Sequence, residues 1–107
     1  MKTSLFNTIA KRIKENFIVQ DILLFGSYAK GNHTANSDID LIVVLDEAGV
    51  SKSYTQIVQK RVAIAKILYD INYTIDLLVY TKEEWKKIKK MNSLFVQDIL
   101  KNSISLV

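Results

Sequence analysis

Two aspartates separated by one residue, Asp38 and Asp40, form the chemically most informative pair in the sequence. They open the run DIDLIVVL, which predicts a β-strand. Because residues two apart in a strand project to the same face, both carboxylates would stand side by side, with Ile39 on the other face. Like charges this close repel each other unless a cation lies between them, and magnesium prefers carboxylate oxygens. The pair therefore predicts a magnesium site, and the alternative is a solvated polar start to the strand.

A third carboxylate, Asp76, interrupts the apolar run YTIDLLVY. An aspartate within such a strand is rarely buried unless it is paired or bound to a cation. If this strand runs beside the DID strand, Asp76 can join the other two carboxylates. The alternative is an edge strand that exposes Asp76 together with Thr74 and Tyr80, although Leu78 on the same face argues against it.

A glycine and a serine, Gly26 and Ser27, follow the apolar run that ends at Phe25 and precede a predicted short helix. Glycine lets the backbone approach a ligand closely. The serine hydroxyl and the free N–H groups at a helix start can bind phosphate oxygens. The two residues are thus a candidate phosphate site, and an ordinary strand-to-helix turn is the alternative.

The rest of the sequence predicts the elements that must position these residues. Apolar residues at helical spacing alternate with β-branched runs. The predicted elements are helix 3–17, strand 18–25, a short helix from 27, strand 38–45, a long loop 46–53, helix 53–70, strand 73–80, helix 81–90, helix 92–101, and a short edge strand or frayed end at 104–107. This order indicates an α/β (α+β) fold in which helices pack on a small mixed sheet.

Two of the helices have a predicted buried face. The helix that follows Thr81 is expected to point Trp85 and Ile88 inward and its lysines outward. For the helix over 53–70, the predicted inward face comprises Ile57, Val58, Val62, Ala65, Leu68 and Tyr69.

Composition fits one domain over residues 1–107, with 49% hydrophobic and 24% charged residues. The chain has no cysteine, which excludes disulfides and thiolate metal sites. No apolar run approaches the roughly 20 residues that cross a bilayer, and no signal peptide is evident, so we expect a cytoplasmic protein. The net charge of +4 is compatible with an anionic partner. The sequence shows no aromatic-rich stacking surface, so nucleic acid is not the expected partner.

The joint spacing of these features is more specific than any one of them. A strand, Gly26-Ser27, ten further residues, Asp38-x-Asp40, a helix and a strand with a lone aspartate follow one another. This order resembles the nucleotidyltransferase fold of the DNA polymerase beta superfamily, with its motif G-S-x10-D-x-D and a third carboxylate on a later strand. In length the chain looks like the minimal nucleotidyltransferase (MNT) subgroup, and the resemblance covers about residues 5–100.

The resemblance implies roles for five residues. Gly26 and Ser27 would hold the β- and γ-phosphates of a nucleoside triphosphate. Asp38 and Asp40 would ligate two magnesium ions. Asp76 would ligate the catalytic metal and help to deprotonate the attacking hydroxyl. All three aspartates are thus the implied catalytic and metal-binding residues.

Other positions near the motif have two interpretations each. Lys30 lies where many members carry a basic residue, so it would contact phosphate, or it is a solvated lysine. Ser37 would touch phosphate or close the turn before the DID strand. Many members have an arginine directly after Gly-Ser, whereas this chain has Tyr28. His33, the only histidine, is expected to be exposed in a polar loop.

The same resemblance implies a function. Larger members carry an added helical domain that binds the acceptor, and from the length we expect none in this chain. The minimal subgroup points to a HEPN-type toxin as partner, with the small protein acting as antitoxin by adding AMP from ATP to a toxin tyrosine. The alternatives are a subunit that nucleotidylates a small molecule and a non-catalytic module that neutralises a partner by contact alone.

Overall fold

Residues 3–50 and 53–107 are described by the structure, a computed structural model. Within these ranges the chain forms α1 (Thr3–Asn16), β1 (Val19–Phe25), α2 (Ser27–Lys30), β2 (Ile39–Leu45), α3 (Tyr54–Ile67), β3 (Ile75–Thr81), α4 (Lys82–Met91), α5 (Leu94–Asn102) and β4 (Ile104–Ser105). The predicted order of elements is confirmed, with ends that differ by a few residues. Positions 51 and 52 of the predicted loop lie outside the described residues.

The four strands of the described chain form one mixed sheet in the order β3-β2-β1-β4. β2 and β3 are parallel, and α3 lies in the crossover connection that such a pair requires. β1 is antiparallel to both β2 and β4. β2 lies in the interior of the sheet and is buried on both faces, which explains its nearly continuous apolar sequence. The end of the chain forms the short edge strand, one of the two predicted outcomes for residues 104–107.

Helices cover both faces of the sheet. On one face, α1 and α3 pack over Leu41 and Val43 of β2. On the other face, Trp85 of α4 and Ile99 of α5 pack over Ile42 and Val44 of the same strand. The successive residues of β2 therefore contribute alternately to two cores. In the described part of the chain, no helix is long and apolar enough to cross a membrane.

Capping residues fix the start of α4. Thr81 accepts a hydrogen bond from the Glu84 N–H, and the Glu84 carboxylate accepts one from the Thr81 N–H. This reciprocal pair satisfies two donors that a helix start would leave unpaired. Trp85 is buried and Ile88 half-buried in the helix that follows, so the predicted inward face of α4 is confirmed.

The predicted inward face of α3 is wrong in part. Ile64 and Leu68 are buried, but Val62 and Tyr69 are 45% and 86% exposed. The buried stripe runs from the half-buried Ile57 through Ile64 to Leu68. Apolar residues occur on several sides of α3, so helical spacing fits more than one stripe, and packing against α1 and the sheet selects one of them.

A pair of alanine substitutions in α3 tests this orientation. Ile64→Ala should lower the free energy of unfolding by about 2–5 kcal/mol, because it leaves a cavity in the core. Val62→Ala should change it by less than about 0.5 kcal/mol. Urea denaturation of the two variants measures both effects, and equal losses would contradict the described face of α3.

Candidate active site

Asp40 and Asp76 lie directly opposite each other in the parallel β2–β3 pair. Their side chains project to the face that α4 and α5 cover, since Asp40 alternates with Ile42 of that core. The two carboxyl groups are within hydrogen-bonding reach of each other. The structure thus brings together two carboxylates that stand far apart in the sequence.

Asp38 precedes β2 by one residue, and its charge acts on Asp40. Asp38 and Asp76 are exposed, whereas Asp40 is half-buried between them. β3 is an edge strand with Asp76 accessible to solvent, as in the alternative weighed from the sequence. This exposure does not remove Asp76 from the other carboxylates, because the strand register holds it beside Asp40.

The electrostatics of this cluster disfavour ionisation of its least exposed member. Burial raises the pKa of the Asp40 carboxyl, and the charges of Asp76 and Asp38 and a hydrogen bond to Asp76 raise it further. A cation at this point would offset both the lost hydration and the repulsion. The arrangement therefore favours binding of a positively charged ligand.

Gly26 brings the main chain against Asp40. In the antiparallel β1–β2 pair, Phe25 lies opposite Asp40, so Gly26 follows at the same end of the sheet. Gly26 has a φ of 73°, which other residues rarely adopt. A Cβ atom at this position would overlap Oδ2 of Asp40 and lie 3.2 Å from its Cγ. Only glycine therefore leaves the Asp40 carboxyl in place.

Ser27 begins the single turn of α2, next to Gly26. The first N–H groups of a helix have no acceptor within the helix itself. α2 ends at Gly31, which has a left-handed conformation. The structure thus places Gly26, Ser27 and the aspartates at one end of the sheet, as the motif predicted, while their roles stay predictions.

Lys30 lies in the last turn of α2, and its ammonium group is 3.1 Å from Asp98 of α5. Asp98 also accepts a hydrogen bond from Asn102 at 2.9 Å. The hydrogen bond from Asn102 and the interaction with Lys30 hold the pKa of Asp98 below its ordinary value. Lys30 therefore links α2 to α5 here, a contact that its position in the motif did not predict.

Ser37 closes the turn before β2, because its hydroxyl accepts a hydrogen bond from the Thr34 N–H at 2.8 Å. Tyr28, which replaces the arginine of many nucleotidyltransferases, is buried and packs edge-on against Phe6 of α1. Its ring also stacks on exposed His33, with centroids 4.2 Å apart. Tyr28 is thus a core residue, and a charged side chain in its place would have to be buried.

One aromatic contact near the site was not predicted from the sequence. Phe95 of α5 packs edge-on against Phe25, with ring centroids 5.8 Å apart. Phe25 in turn lies opposite Asp40. Neither residue has a signal in its own sequence neighbourhood that distinguishes it from other core aromatics.

The donor set fits magnesium when the substrate is counted. In the described ranges, no group of three or more His, Cys, Asp or Glu side chains could by itself hold a metal ion. Magnesium, however, usually takes one or two protein carboxylates and completes its shell with water and substrate phosphates. Asp40 and Asp76 supply such a pair, and the charge of Asp38 acts on Asp40.

Two relatives from Methanocaldococcus jannaschii are each named "Putative protein adenylyltransferase". One is 51% identical over 37 residues, which are 35% of this chain and 37% of the relative. The other is 30% identical over 82 residues, 77% of this chain and 72% of the relative. The match to the first relative thus spans little more than a third of that protein.

Solved structures share the fold. A toxin–antitoxin structure with AMP-PNP has a TM-score of 0.63 and 24% identity over all of this chain and 73% of that chain. A tri-AMPylated Shewanella oneidensis HEPN toxin in complex with MNT antitoxin gives a TM-score of 0.61 and 22% identity, over 100% of this chain and 72% of that chain. These likenesses confirm the predicted fold class.

The family described as "Nucleotidyltransferase domain" matches residues 6–105. This range includes the mixed sheet, the Gly-Ser turn and all three aspartates. The resemblance seen in the motif is therefore confirmed: the chain belongs to the nucleotidyltransferase domain family.

Proposed function

We propose that this chain is a magnesium-dependent protein adenylyltransferase. It transfers AMP from ATP to a hydroxyl group of a HEPN-type partner protein and acts as the antitoxin of that pair. The observation that carries this proposal is the pairing of Asp40 with Asp76 against the backbone of Gly26. The names of the relatives, the AMP-PNP complex and the complex of a tri-AMPylated HEPN toxin with MNT antitoxin support the nucleotide and the partner.

Asp38, Asp40 and Asp76 are the residues that would hold two magnesium ions. When bound, magnesium stabilises the charge that develops on the phosphate and on the leaving pyrophosphate. Asp40, the half-buried member, holds the centre of the site because Gly26 restricts its position. This protein would therefore act by positioning groups and neutralising charge.

In the transfer itself, the acceptor oxygen forms a bond to the α-phosphorus of ATP. The bond between the α-phosphorus and the bridging oxygen to the β-phosphate breaks, and pyrophosphate leaves with that electron pair. The hydroxyl proton passes to a carboxylate. Asp76 suits this step because it is exposed on an edge strand, where a hydroxyl carried by another protein can reach it.

The remaining motif residues would bind the triphosphate. Gly26 allows close approach, and Ser27 with the first N–H groups of α2 would hold the β- and γ-phosphates. Lys30 would add positive charge near the phosphates while it stays paired with Asp98. Ser37 would offer its hydroxyl to the phosphates only if its hydrogen bond with the Thr34 N–H breaks. We assign them supporting contributions for that reason.

Substitution of the central carboxylate tests the chemistry. Asp40→Asn should lower AMP transfer by about 100-fold or more, because it removes a charged ligand of the magnesium that would stabilise the reacting phosphate. Transfer is measured with labelled ATP, magnesium and the purified HEPN-type protein. Asp46→Asn is the matched control, since Asp46 lies at the other end of β2 and pairs with Lys82.

Full activity of Asp40→Asn would refute the assignment of the catalytic carboxylate. Label on a small molecule instead of the HEPN-type protein would favour the small-molecule alternative. Tight binding of the protein without any label would favour neutralisation by contact alone.

Stability measurements test the metal separately from the reaction. Without divalent ions, Asp40→Asn should raise the thermal midpoint at neutral pH, because it removes a charge that burial and two carboxylates disfavour. A carboxyl whose pKa is raised on folding costs stability as pH rises from its ordinary pKa to the raised one, and the full cost persists above that range. The advantage of the variant should therefore vanish at about pH 3, where the wild-type carboxyl is protonated and as neutral as the asparagine that replaces it.

Magnesium should raise the midpoint of the wild-type protein and leave that of Asp40→Asn nearly unchanged. Thermal scans over pH, with and without magnesium, measure both effects. A wild-type protein that is indifferent to magnesium and to ATP with magnesium would contradict the metal site.

Two glycines with positive φ test the contact with Asp40, with a ψ of −152° at Gly26 and of 12° at Gly31. Gly31→Ala should cost about 1–2 kcal/mol of stability, since Gly31 is in the left-handed conformation. Gly26→Ala should cost more, since its φ of 73° with a ψ of −152° is a conformation that essentially only glycine adopts. Only the Cβ at Gly26 would strike Asp40, whereas nothing lies within 4 Å of the one at Gly31. Gly26→Ala alone should therefore weaken magnesium binding and transfer, and equal losses in the two variants would argue against the contact.

A further inference from the structure

Three exposed apolar side chains, Met91, Leu94 and Phe95, lie where α4 gives way to α5; we name them the α4–α5 corner. Their exposed fractions are 74%, 83% and 42%. The turn between the helices is well defined, with Asn92 in a left-handed conformation and Ser93 capping α5. The corner is therefore a fixed apolar surface.

The corner lies beside the candidate active site. Phe95 contacts the ring of Phe25, and Phe25 is the strand partner of Asp40. α4 starts at the end of β3 opposite to Asp76, and its ten residues extend about 15 Å back across the sheet. The α4–α5 corner thus adjoins the carboxylates on the face toward which Asp40 points.

Positive charge flanks this apolar surface. Lys87 lies one helical turn before Met91, and Lys101 lies two turns after Leu94, beyond Asp98, which is paired with Lys30. Both lysines are exposed, and neither forms a salt bridge within the described residues. A second copy of this chain would bring the same lysines together, with a net charge of +4 on each copy. An acidic surface of another protein is the complementary partner.

We propose that the α4–α5 corner is the surface on which the acceptor protein docks, and that the docked segment presents an apolar side chain flanked by acidic residues. The inference rests on the proposed function, which requires the acceptor hydroxyl to reach the carboxylates next to the corner. The triphosphate is assigned to Gly26, Ser27 and the start of α2. Next to Asp38, a polar cavity of about 500 Å³ that is lined by residues including Asn36, Asn72 and Thr74 has room for the rest of the nucleotide.

Binding of the purified HEPN-type protein to matched variants tests this surface. Leu94→Asp should weaken binding by about tenfold or more, because it places a charge in the apolar contact, and Leu94→Ala should act in the same direction. Lys87→Glu should weaken binding several-fold, with a loss that shrinks at high salt. Tyr54→Asp and Lys14→Glu are the controls, since Tyr54 is 79% exposed and both residues lie on helices of the opposite face.

ATP binding in the presence of magnesium should be the same in all these variants, which separates docking from the nucleotide site. Wild-type affinity of Leu94→Asp for the HEPN-type protein would overturn the docking surface while leaving the proposed function intact. Failure of the wild-type chain both to bind and to modify that protein would overturn the proposed partner and the docking surface together.

Discussion

The repulsion between carboxylates at the start of β2 is the constraint on which the site depends. The parallel register places Asp76 opposite Asp40, and Asp38 adds a further negative charge. Core strands of a small domain do not gain stability from such an arrangement, because lost hydration and like charge both oppose it. Its presence at the start of an otherwise apolar strand favours the binding of a cation at this point.

The topology of the sheet explains how so few residues build this site. β2 is in the interior, and its two neighbours arrive from opposite directions. The antiparallel neighbour, β1, ends at the site and is followed by Gly26. The parallel neighbour, β3, begins at the site and contains Asp76. Three segments from separate parts of the sequence thus meet at one end of the sheet, and the helices on both faces hold them in register.

The local part of this arrangement could be predicted from the sequence. The period of a strand fixes the common side of Asp38 and Asp40, and the position of Gly26 after an apolar run indicates a strand-to-helix turn. The two contacts that α5 makes near the site had no comparable signal in the local sequence pattern. The link between Lys30 and Asp98, and the packing of Phe95 on Phe25, depend on how α5 crosses the sheet. The face of α3 was misassigned for a related reason, since Val62 and Ile64 are equally apolar and only tertiary packing distinguishes them.

The parallel pairing of β2 with β3 also has a consequence for the order of events during synthesis. Such a pair forms only after the whole crossover through α3 is available, and contacts this distant in sequence form slowly. A nascent chain that has emerged only as far as β2 would already carry the Gly-Ser and Asp-x-Asp motif but would lack Asp76. The complete cluster of acidic side chains is thereby restricted to molecules whose last long strand has docked.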